Sequence, residues 1–201
     1  MSMLHKPGFV IGSGSSLTGV DLSPLQRHLI VAANRAVEAV PFATAMCFMD
    51  SFFWFNYRHI IDDFAGVKFT LASNDVIDDP QIFRLHDLGY RGFSFSLNEG
   101  VYTGVNSGFI AFQVCVGLGA SHIYLLGFDM CVVKNKYHFH EPYPRPPQDP
   151  QIYLNMQRAF EDAAPLLKER GVEVFNCSEV SAISAYPKVS LTEVLDEYRT
   201  S

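Results

Sequence analysis

Residues 103–129 read TGVNSGFIAFQVCVGLGASHIYLLGFD, and this stretch decides the fold. It spells a polar turn, a helix, a glycine stop, an apolar strand, and an acid beyond the strand's carboxyl end. Asn106 or Ser107 is suited to cap the helix, because a short side-chain oxygen accepts from first-turn N–H groups that have no helical partner. Small and apolar residues fill positions 109–116, so the helix is expected to be buried on most sides. Gly117 and Gly119 supply the positive φ that ends helices. Residues 122–126 are a short apolar run, the pattern of a strand covered on both faces. Gly127 and Asp129 then fall where ligands gather in open α/β sheets, just beyond the carboxyl ends of strands.

A second corner of this kind opens the chain. Residues 8–11 are a brief apolar strand, and GSGSSL follows at 12–17. Gly12 and Gly14 let the backbone turn with no Cβ in the way. Ser13, Ser15 and Ser16 set hydroxyls beside exposed amides. Such a loop, running into a helix N-terminus, can hold an anion. Leu17 stands where the dinucleotide fingerprint needs a third glycine, and the P-loop lysine is absent. The loop suits a phosphate or a ribose without specifying NAD or ATP; the alternative is an ordinary tight turn. Residues 28–33 form a second apolar strand with Asn34 at its end, where the amide either meets a base or ribose edge or closes a turn. Residues 42–49 form a third strand ending in Asp50.

Residues 51–64, SFFWFNYRHIIDDF, have the length and spacing of a helix whose aromatics serve the core or a contact with a second copy. A fourth strand spans 67–71. Asn74, Asp75, Asp78, Asp79 and Pro80 mark a loop; its acids lack Ca²⁺-loop spacing and read as a solvated face. Residues 82–88 are expected as a short helix and 92–95 as an edge strand. Residues 152–170 make an amphipathic helix that Pro165 should kink or split. A last strand at 172–175 leads to Asn176, Cys177 and Ser178, and a terminal helix covers 191–198. This alternation predicts an α/β fold, a three-layer sandwich with a mostly parallel sheet, in a single domain over 1–201.

Residues 131–150, CVVKNKYHFHEPYPRPPQDP, carry too many prolines for a regular element. A long loop at the ligand-side end of a strand is expected to act as a lid, here over about 130–150. His138 and His140 admit three readings: a metal pair on one strand face, a general acid or base, or two solvent-facing side chains. Beyond Glu141 no third ligand lies nearby, and no metal site is assigned.

The totals bound the partners. The chain has 201 residues, enough for one full core, and a formal net charge of −6, which opposes nonspecific nucleic-acid binding. Seventeen phenylalanines leave aromatic surface for self-association, so a homo-oligomer is expected. The four cysteines show no zinc spacing and read as free thiols in a reducing compartment. No signal segment and no membrane-spanning run is present, so a cytoplasmic protein is expected.

With the elements in order, IGSGSSL resembles the opening motif of bacterial family-42 sialyltransferases, usually GNGPSL, and of related MptE-like and phage-associated "norphogenetic" proteins, the last being the nearest branch. AANRA, FMDSFFWFNYRHII, the 103–129 stretch, YHFH and VEVFNCSEVSAIS resemble successive segments of that family along most of the chain. The resemblance implies a Rossmann-like fold, a CMP-type nucleotide sugar as donor and a glycan as acceptor. It implies that Gly12, Ser13, Gly14, Ser16, Asn34, Asp50, Asn106, Ser107, Gly108 and Asp129 hold the nucleotide. It further implies that His138 or His140 deprotonates the acceptor hydroxyl while Tyr137 supports the leaving phosphate. The chain departs from the family at Ser13 and Ser15, at Asp50 in place of Asn, and at Asn106 in place of Thr. No cofactor is required by that chemistry. Mg²⁺ enters only with the alternative, an MptE-like ATP-dependent pterin pyrophosphokinase; a non-catalytic nucleotide-binding phage or bacterial protein is the third expectation.

Overall fold

The computed structural model describes residues 6–71, 77–144 and 150–199. Asn74, Asp75 and the proline-rich end of the lid at 145–149 lie outside the described residues. The apolar runs become seven strands: β1 (Pro7–Ile11), β2 (Leu29–Ala33), β3 (Ala45–Phe48), β4 (Val67–Thr70), β5 (Ile82–Arg84), β6 (His122–Leu126) and β7 (Glu173–Asn176). They form one sheet in the order β5-β4-β3-β2-β1-β6-β7, and every pairing is parallel. The chain therefore builds outward from β1 to β5, then crosses back to place β6 on the other side of β1. Ile11 pairs with both Ala32 and Leu126. That register ends β1, β2 and β6 at one level, so the loops after all three emerge together at the point where strand order reverses.

Two cores sandwich the sheet, giving a Rossmann-like three-layer α/β fold. One contains Phe9, Ile11, Ile30, Met46 and Phe48, packed under α1 (Ser51–Asn56), α2 (Arg58–Asp63) and the terminal α5 (Leu191–Arg199). The other contains Val10, Val31, Cys47, Ile123 and Leu125 under α3 (Ser107–Gly117) and α4 (Pro150–Glu169). Helix α3 lies across β1, β2 and β3, and every residue from Ser107 to Val116 is buried. It has no polar face because it is enclosed by the sheet on one side and by α4 and the 93–102 segment on the other. Burial raises the thiol pKa of Cys47, Cys115 and Cys177, all of them free. Among the described residues no helix is long and apolar enough to cross a membrane.

Four local expectations change. Ile82 starts a short edge strand, not a helix, because Ile82 and Phe83 are β-formers that complete the sheet beside Lys68 and Phe69. Residues 92–95 are irregular: the Ser94 N–H donates to Gln113 Oε1 of α3 at 3.0 Å, replacing a ladder bond with a buried side chain. The aromatic helix divides at Tyr57, whose φ of −128° is not helical. Pro165 leaves α4 continuous; the carbonyl that loses its bond is that of Glu161, an exposed residue.

The α3 core supplies a test of this packing. Phe112 is fully buried against Phe93, Phe160 and Tyr186. Phe112→Ala should lower unfolding free energy by about 3–5 kcal/mol in urea denaturation; a loss below about 1 kcal/mol would show that α3 is not the packing centre.

Candidate functional site

The loops after β1 and β6 are stitched together before any ligand is considered. The Gly12 N–H donates to Leu126 O at 2.7 Å and the Gly14 N–H to Gly127 O at 2.8 Å. A Cβ at Gly12 would stand 2.6 Å from Gly127 O, and one at Gly14 2.6 Å from the Asp129 carboxyl carbon. These glycines are required first by backbone-to-backbone approach. Asp129 is 2 % exposed and accepts four donors. Ser16 donates its N–H at 2.9 Å and its hydroxyl at 2.5 Å, Ser178 its hydroxyl at 2.7 Å, and Ser15 its hydroxyl at 3.5 Å. A carboxylate so surrounded is stabilised without a cation, since charge-assisted hydrogen bonds replace its water.

Alternate amides of the first loop differ in use. Those of Gly12, Gly14 and Ser16 are spent inside the protein, whereas those of Ser13 and Ser15 meet no acceptor among the described residues. The same holds for the Ser107 amide at the start of α3. There Asn106 is the cap, its Oδ1 accepting from the Gly108 N–H at 2.6 Å. The loop and the helix start border one cleft of about 140 Å³, lined by Gly12, Ser13, Gly14, Asn34, Asp50, Asn106, Ser107, Gly108 and Asp129, with Tyr137 and His138 above. Ser16 and His140 do not line it. Asp50 caps α1 through the Phe53 N–H at 2.8 Å.

Backbone strain concentrates here. Asn34, Val105 and Met130 have φ of 51°, 49° and 50°, and all three line the cleft. For a β-branched residue such as Val105 this conformation costs on the order of 1–3 kcal/mol, and it persists only where the surroundings impose it. The Asn34 Oδ1 is buried and has no hydrogen-bond partner among the described residues. It is a polar atom at the cleft wall whose partner a ligand can supply.

The described part of the lid is held by a tight turn and two anchors. Val133 and Lys136 bridge in antiparallel fashion around Lys134 and Asn135, both at positive φ, the geometry of a two-residue hairpin turn. The Phe139 N–H donates to Ser13 O at 3.1 Å, and Arg35 Nη1 to Glu141 O at 3.2 Å. Tyr137 stacks on Tyr153 of α4, ring centroids 5.7 Å apart, and both line the cleft. Among the described residues no three His, Cys, Asp or Glu side chains converge to hold an ion. The cleft thus offers uncommitted amides, one orphaned amide oxygen, three tyrosines and a histidine, and among the described lining residues no lysine or arginine.

Sequence reading named neither Tyr143, Tyr153 and Met156 as lining residues nor Ser178 as a partner of Asp129. Tyr153 and Met156 sit on an amphipathic helix whose apolar face reads only as core. Ser178 is 49 residues from the carboxylate it meets, and its one signal was its place just past a strand end.

No family model and no curated protein matches the chain. Among solved structures, it is similar to the sialyltransferase CstII from Campylobacter jejuni, determined in complex with the substrate analogue CMP-3FNeuAc. The TM-score is 0.50 and the identity 14 %, over 93 % of this chain and 86 % of that one. At this identity the likeness is one of fold: the chain has a sialyltransferase-like α/β architecture.

The clasp predicts its own mutational signature. Asp129→Ala leaves three close donors unpaired and should cost about 3 kcal/mol or more, while Ser178→Ala should cost about 1–2 kcal/mol. Equal, sub-kilocalorie effects in urea melts would show the clasp to be incidental.

Proposed function

We propose that this chain is a sialyltransferase-like glycosyltransferase of the family-42 and MptE-like type, transferring a sugar from a CMP-type donor to a glycan acceptor. The observation that carries the reading is the meeting of two anion-competent corners, Gly12–Gly14 and Asn106–Gly108, in one cleft beneath a lid that brings His138 and Tyr137 to it. The fold likeness to an enzyme solved with a CMP-sugar analogue supports it.

In this reading the donor's single phosphate is held by the amides of Ser13 and Ser107, neutral dipoles that suit a monoanionic phosphodiester better than a triphosphate. Asn34 Oδ1 accepts from the nucleoside. His138 takes the proton from the acceptor hydroxyl as its oxygen bonds to the anomeric carbon. The bond from that carbon to the phosphate oxygen breaks, and CMP departs with the electron pair, its new charge met by the amides and the Tyr137 hydroxyl. Asp129 and Ser16 act one layer back, holding the loop whose amides do the binding.

Thermal-shift measurements with CMP, CDP and ATP plus Mg²⁺ test the reading. CMP or CDP at a hundredfold excess over Kd should stabilise by about 2.7 kcal/mol. A response to ATP with Mg²⁺ alone would move the protein to the pyrophosphokinase class, and no response to a non-catalytic role. His138→Ala should abolish turnover of a CMP-sugar and leave CMP affinity in place; parallel loss of both contradicts the role given to His138.

A further inference from the structure

The two lid histidines differ in their place relative to the cleft. His138 lines the cleft; His140 does not. Their rings stack nearly parallel, centroids 4.9 Å apart at 10°. Tyr143 packs edge-on to both, at 5.3 and 5.1 Å. His140 Nδ1 lies 2.7 Å from the Glu141 carbonyl oxygen. A carbonyl only accepts, so Nδ1 carries the hydrogen. That leaves Nε2 as the bare nitrogen, and Nε2 is buried with no partner among the described residues. Protonating it would create a buried cationic N–H with no acceptor among the described residues. The Glu141 carbonyl is itself held by Arg35 Nη1, and Arg35 is ion-paired with Glu38 at 2.7 Å.

We propose that His140 is a positioning residue for His138: it fixes the plane of that ring at the cleft and takes no further proton itself, so the pair takes up one proton and not two. Among the described residues, the charged and titratable groups facing His140 are His138, Glu141 and Tyr143 of the lid, with Arg35 and Glu38 from the turn after β2. Burial lowers the His140 pKa, the Glu141 carbonyl acts against it, and the Arg35 charge adds to the lowering. A neutral brace lets His138 accept a proton without a second cation stacked upon it. It also means that an HxH sequence, which spells two equivalent rings, encodes one ring that reacts and one that holds.

The assignment of a catalytic proton to His138 rests on the proposed transferase, but the proton count of the pair does not. Histidine-labelled full-length protein, titrated by NMR without ligand, reads the pair directly. His138 should titrate in one step while the His140 signals stay those of the neutral Nδ1–H tautomer throughout that step. Two rings taking protons together over the same range would overturn the proposal. With a CMP-sugar donor, His140→Ala should lower kcat about tenfold to a hundredfold, His140→Phe should recover part of it through its flat face, and CMP affinity should hold within about twofold. A loss confined to stability, with kcat of the folded variants unchanged, would reduce His140 to a packing residue and overturn it equally. If no CMP-sugar is turned over by the unaltered chain, the transferase reading fails while the NMR titration still decides the histidine pair.

Discussion

The Asp129 carboxylate is the constraint on which the rest depends. It lies beyond β6, takes both donors of Ser16 from the loop after β1, and takes the hydroxyl of Ser178 from the segment after β7. Three adjacent strands thus end at one buried anion. Leaving those donors without it would strand polar groups in a buried place, the costly half of any hydrogen bond. The glycines follow from the same contact, since a side chain at Gly12 or Gly14 would collide with what the carboxylate draws close.

Because the clasp uses Gly12, Gly14 and Ser16, it turns the intervening amides of Ser13 and Ser15 away from the protein's own acceptors. The α3 start, capped by Asn106, adds the Ser107 amide beside them. The sheet register brings Asn34 to the same edge, at a strained φ and with its oxygen unpartnered. A site whose donors are fixed by the fold need not reorganise when charge appears, and this is how neutral dipoles stabilise a leaving phosphate. The lid attaches to the same frame twice: Phe139 bonds to Ser13, and Glu141 bonds to Arg35, the residue after Asn34. The unpartnered oxygen of Asn34 and the seat of the lid at Arg35 are therefore neighbours in the chain.

The fold was largely legible because its signals are local and repeated: apolar runs of strand length, glycine stops, and caps such as Asn106. The errors fell where length or burial decides against pattern. Residues 82–84 are too few for periodicity to tell a strand from a helix, and the sheet edge settles it. Pro165 is tolerated because Glu161 is on the exposed side, a fact of tertiary placement. Within the site, the two corners could be recognised separately, since each is a run of small polar residues after a strand. What could not be read was which groups satisfy one another. Ser16 and Asp129 are separated by 113 residues, and their pairing is written in no local pattern. Likewise the alternation of His138 and His140 says nothing about which ring meets the cleft when the backbone is irregular and not a strand.

The most direct test of the central claim is a crystal structure of the chain soaked with CMP. The account predicts the nucleotide in the cleft between the first loop and the α3 start, its phosphate within hydrogen-bond distance of the Ser13 or Ser107 amide, with the Asp129 clasp unchanged. CMP bound at another edge of the sheet, or a Ser16–Asp129 pair broken to receive the phosphate, would contradict it.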